Sequence, residues 1–157
     1  MGFRQRFSSG LIKSKLKFLL LFLSASLVCA EPMGLWVFYQ GKHPRSVQEV
    51  WLNSVNDLNA RVKKIFYKEG EKPIQVCATC PSPFHNAPII GLHFLRKAKQ
   101  VSERHWQSGQ FLDLYSGNIF SVDAWLSEDG QTLTLNVYLF FSFLGTKVIW
   151  KKLNPKS

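Results

Sequence analysis

From Thr132 to Phe140 the chain reads TLTLNVYLF. In an extended segment Leu133, Leu135, Val137 and Leu139 fall on one side and Thr132, Thr134, Asn136 and Tyr138 on the other. This alternation marks a half-buried strand, because a helical period would scatter the same residues around a cylinder. After residue 31 no stretch sustains a helical period. Short apolar or alternating runs recur instead between turn residues, and they predict strands over Leu35–Gln40, Val47–Leu52, Arg61–Tyr67, Ile89–Arg96, Gly109–Tyr115, Ile119–Leu126, Thr132–Phe140 and Lys147–Lys152. Ser116-Gly117-Asn118 and Glu128-Asp129-Gly130 each join two strands, and Gly145 precedes the last, so the C-terminal half reads as an up-and-down meander. The segments around Asp57 and Gln100 fit this pattern least and are compatible with short helical turns. An all-β domain of eight strands is a closed barrel or a sandwich. Closure removes exposed edges, and about eight strands leave an interior that is filled or holds one small ligand.

The first thirty residues differ in kind. Arg4, Arg6, Lys13, Lys15 and Lys17 precede the uncharged run FLLLFLSASLV, and small residues surround Ala30. That is the outline of a signal peptide over residues 1–30, leaving one domain at 31–157. The uncharged run from Phe18 to Ala30 is shorter than the roughly 20 residues a membrane-spanning helix needs, so cleavage is expected and no stable membrane span remains. Lipidation of Cys29 is the rival reading, and the branched Val28 before it stands where a small residue is usual. Of the twenty Lys and Arg, five lie in this leader, so fifteen face ten Asp and Glu beyond it, a net of +5 rather than +10. Those that remain are scattered apart from short groups such as Lys63-Lys64 and Lys151-Lys152, which solvated faces explain. No nucleic-acid partner is expected.

Cys77 and Cys80, in Cys-Ala-Thr-Cys, admit three readings. Export makes oxidation the default. The pair follows strand-like PIQV and precedes Pro81 and Pro83, whereas a reactive thiol is usually activated at a helix N-terminus. The first reading is therefore a local structural disulfide, with thiol redox activity behind it. A zinc site drawing on His85 and His93 is the third, but its spacing is irregular and oxidised cysteines do not ligate. His43 and His105 read as solvated loop residues. Asp113 and Asp123 flank the Gly117 turn as two carboxylates on a hairpin, a placement more typical of surface residues than of an acid and base pair. With no Gly-x-Ser-x-Gly, His-Glu-x-x-His or phosphate-binding glycine loop, the chain is expected to be no enzyme and to hold no metal or cofactor.

The order of motifs resembles a known family. Gly34-Leu35-Trp36 is followed by the paired cysteines, Pro88-Ile89-Ile90-Gly91-Leu92, Trp106-Gln107-Ser108-Gly109, Asp113 with Gly117, Phe143-Leu144-Gly145 and Trp150. This succession is similar to that of the bacterial secreted proteins grouped as domain of unknown function 2147, over nearly all of residues 34–152. The family's turn carries Asp-Pro, then Gly-Lys and an aromatic, where this chain has Asp113-Leu114, Gly117-Asn118 and Phe120, which marks a divergent member. The resemblance implies a lipocalin-like antiparallel up-and-down barrel in the Gram-negative envelope, secreted or periplasmic. It also implies that Trp36 closes one end of the barrel beneath a basic side chain from the last strand, Lys151 or Lys152. It brings no established catalytic residues. The expected partner is a small hydrophobic or amphipathic ligand, with Trp36, Phe38, Phe120, Leu135, Val137 and Trp150 as candidate lining. A thiol-redox envelope protein and a filled barrel with a structural or host-interaction role are the alternatives.

Overall fold

The structure is a computed structural model that describes residues 30–154. The expected leader, apart from Ala30, and Cys29 with it lie outside the described residues. Eight strands follow one another around a closed antiparallel barrel: β1 (Gly34–Gln40), β2 (His43–Leu52), β3 (Leu58–Ile65), β4 (His93–Ser102), β5 (His105–Leu112), β6 (Ile119–Leu126), β7 (Thr132–Tyr138) and β8 (Thr146–Lys152). The all-β, up-and-down expectation holds, and the open choice between barrel and sandwich resolves to the barrel. β8 pairs with β1 through Trp36 opposite Lys152, Val37 opposite Lys151 and Phe38 opposite Trp150.

Local chemistry sets the turns. Asn53 Oδ1 accepts the Val55 and Asp57 N–H groups, and with Asn56 at φ 61 it folds the β2–β3 connection without a helical turn. Asp129 Oδ1 accepts the Gln131 N–H at 3.0 Å in the β6–β7 turn, where Gly130 takes φ 67. Gly109 is fixed by closeness: a Cβ there would lie 2.6 Å from Ala98 Cβ and 2.9 Å from Val122 Cγ1. The core between the strands holds Trp36, Leu58, Leu95, Trp106, Leu133, Leu135 and Trp150, all at most 1% exposed.

Strand boundaries depart from the pattern in informative places. β6 matches its expected span. β3 begins at Leu58, since Leu58, Ala60 and Val62 are the buried alternation and Lys63 and Lys64 already face solvent. Ile89 is not in a strand: Gly91 at φ 89 interrupts the chain, and Ile89 reaches the core from the β3–β4 connection. β4 runs on through Gln100 to Ser102 rather than turning helically, with Lys99 to Ser102 exposed and so without an apolar alternation to betray it. The helical turn lies elsewhere, as a 3-10 turn at Ser142–Leu144. His43 and His105 begin β2 and β5 rather than occupying loops, and His105 is half-buried, stacked 4.6 Å from Trp125.

Candidate functional site

Consecutive antiparallel hairpins alternate between the two ends of a barrel, so the β1–β2, β3–β4, β5–β6 and β7–β8 connections share one end. A cavity of about 260 Å³ opens there. β1 supplies Phe38 and Gln40, β2 supplies Arg45, Ser46 and Gln48, β3 supplies Val62 and Ile65, β4 supplies Phe94, and the β5–β6 connection supplies Leu114 and Tyr115. Its size suits one small ligand, and its walls combine aliphatic and aromatic carbon with a few polar groups.

Gln48 is the exceptional member. It sits at 4% exposure on β2, the one polar residue of that strand that is fully buried. Its Nε2 donates to Ser46 Oγ, while Oε1 is buried with no hydrogen-bond partner in the protein. An amide end left this way costs about 1–3 kcal/mol. At the rim, Arg45 Nη1 and Nη2 donate to the two carboxylate oxygens of Glu71, each at 3.0 Å, and Glu71 also accepts the Lys68 N–H at 2.8 Å. The Arg45 guanidinium holds the Glu71 carboxyl below its ordinary range, and Glu71 in turn raises Arg45. Arg45 and Tyr115 also line a second hollow of about 240 Å³ with Tyr67, Glu71, Lys72 and Ile74, so this pair stands between the cavity and the outside. A hollow of about 520 Å³ beside Lys63, Lys64, Pro73, Pro88 and Ile90 is larger but lies among mostly exposed residues.

The opposite end is closed. Trp36 is fully buried, its indole N–H donates to the Pro32 carbonyl at 2.7 Å, and Lys152 Nζ lies 4.7 Å from the ring centre. Lys152 also donates to the Glu31 and Met33 carbonyls, and burial lowers its pKa. Of the two lysines weighed for this cover, Lys152 takes it; Lys151 points to Thr132 Oγ1.

Among the six residues singled out from sequence, Phe38 lines the cavity. Trp36, Leu135 and Trp150 are packed in the core, Val137 lies against it, and Phe120 is half-buried on β6 opposite Phe111. Sequence reading passed over Gln48, although a glutamine in the inward register of SVQEVWL is the signal that marks it. Cys77 and Cys80 are joined in a disulfide and are almost fully buried. His85 and His93 are exposed and separate: His85 Nδ1 lies 3.3 Å from the Cys80 carbonyl and His93 sits edge-on to Trp51. No group of three His, Cys, Asp or Glu converges among the described residues. Asp113 accepts from Tyr115 N–H and Ser116 Oγ in its own turn. Asp123 is buried rather than on the surface. It accepts from Ser108 N–H and from Tyr138 Oη, whose pKa is raised first by burial and then by this carboxylate.

Comparison with known proteins bears on this geometry. The family model described as an uncharacterized protein conserved in bacteria, domain of unknown function 2147, matches residues 34–152. The chain belongs to this family. The match to domain of unknown function 2147 runs from the first residue of β1 to the last of β8, and so takes in the whole barrel and its cavity. Among solved structures, protein HP1028 from the human pathogen Helicobacter pylori, described as belonging to the lipocalin family, is similar at a TM-score of 0.67. The likeness covers 81% of this chain and 86% of that one at 20% identity, and it shows the fold: a lipocalin-like barrel. No curated protein matches the chain.

Proposed function

We propose that this barrel binds a small amphipathic ligand in an exported setting and catalyses no reaction. The carrying observation is Gln48, a buried carboxamide lining an apolar cavity with its Oε1 unpartnered, which a ligand hydroxyl, amide or amine would satisfy. The apolar part of the ligand would lie against Phe38, Val62, Ile65, Phe94 and Leu114. The leader-like residues 1–30 support export to the periplasm or beyond. The redox alternative is disfavoured by burial of both sulfur-bearing residues, since exchange needs an accessible sulfur. Native mass spectrometry of protein purified without detergent from the producing cell tests the reading. A co-purifying small amphipath lost from Gln48→Met supports it, and a barrel that arrives empty and takes up no alkyl alcohol or amide sinks it.

A further inference from the structure

The β7–β8 connection carries LFFSFLG, Leu139 to Gly145. Phe140 and Phe143 are each 80% exposed and Leu144 is 72% exposed, the three most exposed large apolar side chains among the described residues. Leu139 and Phe141 are exposed beside them. A surface cluster of this kind signals a contact that the isolated molecule does not make.

The cluster is held rigidly from beneath. Asn136, buried in β7, donates from Nδ2 to the Ser142 carbonyl at 2.7 Å, and the Gly145 N–H donates to the same carbonyl at 3.2 Å. Gly145 is what admits Asn136, since a Cβ there would lie 2.2 Å from its Oδ1. Phe141 and Phe143 stack at 5.5 Å, and no residue of the 3-10 turn is buried. The backbone is thus anchored into the barrel while the rings face away from it.

The surroundings are cationic. Lys42 in the β1–β2 turn, Lys68 and Lys72 in the β3–β4 connection and Lys147 on β8 are exposed at this same end. Of the acids there, Glu71 is neutralised by Arg45, which leaves Asp113 and Glu69 against four lysines. From these features we infer that the Leu139–Leu144 prong inserts into an anionic lipid surface, with the lysine collar on the headgroups and the cavity mouth facing the bilayer. A second copy of the chain fits this end less well, because two collars of like charge would meet. The docking does not depend on a ligand in the cavity.

The test uses the full chain throughout, so any contribution of Phe18–Val28 is common to every variant. Co-sedimentation with phosphatidylethanolamine–phosphatidylglycerol vesicles is expected to exceed that with phosphatidylcholine alone and to weaken with salt. Phe140→Ser with Phe143→Ser should reduce partitioning by about tenfold or more, as expected for removing two inserted rings, at an unchanged melting temperature. Lys42→Glu with Lys147→Glu should lower the preference for phosphatidylglycerol below that of the native chain, what remains being the share of Arg4, Arg6, Lys13, Lys15 and Lys17. In vesicles with brominated acyl chains, Phe143→Trp should add a strongly quenched fluorescence component that the native chain lacks. Equal partitioning of the serine variant, an unquenched F143W indole, or a solution dimer that the serine substitutions dissolve without vesicle binding would each overturn the inference.

Discussion

Gln48 brings the stability and the proposed function of the barrel into opposition. Its Oε1 is a buried acceptor without a donor in the protein, and replacing it by an apolar side chain of similar length removes that cost. Gln48→Met should therefore raise the unfolding free energy by about 1 kcal/mol in urea titration while weakening ligand binding. A destabilised Gln48→Met would show instead that the carboxamide is satisfied in solution and has another role. Single residues were unevenly legible in sequence. Gly34-Leu35-Trp36 pointed to the plugged end through the family resemblance, and Gly34 takes φ 120, a conformation that side chains other than hydrogen rarely adopt. Phe38 was distinguishable from the core aromatics only by its depth along β1. Periodicity reports which side of a strand a residue occupies and is silent about height in the barrel, so Trp36 and Trp150 could not be told apart from a lining residue.

The β3–β4 connection is the least regular element and the one most involved in the mouth. Three ties bring it to the barrel: Arg45 with Glu71, Arg96 over the Phe84 ring, and Thr79 Oγ1 donating to the Tyr115 carbonyl. Gly117 makes the last approach possible, with φ 75 and a Cβ position 2.0 Å from the Thr79 carbonyl oxygen. The Glu71 carboxyl is depressed in the folded state, so its contribution is complete above the ordinary value of 4.5 and is lost as pH falls through the lower folded value. Glu71→Gln should accordingly increase amide hydrogen exchange in residues 66–76 at neutral pH. The difference from the native chain should shrink as pH falls below about 4.5 and vanish below the lower folded value, where the native carboxylate is protonated too. Exchange that is equal at neutral pH would show that Arg45 does not hold the connection. Strand content was readable wherever alternation was clean, as in β6 and β7. It failed in β4, whose last four residues are exposed on both sides, and at Ile89, which enters the core from a connection rather than a strand while Ile90 faces solvent.

At the scale of the whole molecule, the closing seam between β1 and β8 differs from the other seven. They join strands adjacent in sequence, whereas the closing seam brings Trp36 to Lys152 across nearly the whole fold through three register pairs. Long separations of this kind slow folding, because chain entropy is lost before the contact is made. Hairpins close short loops and the ring closes the longest, so the topology predicts that the seam shuts last and that a sheet still open would present both edges to other copies. Lys152→Ala removes a clasp made only in that last event. It should cost about 1–2 kcal/mol, mostly as unfolding accelerated about tenfold with little change in the refolding rate, measured by stopped-flow Trp fluorescence. A refolding rate slowed in proportion would place the seam in the nucleus instead. Refolding yield should fall as concentration rises, since the edge of β1 waits for β8 and meets any other strand that arrives first.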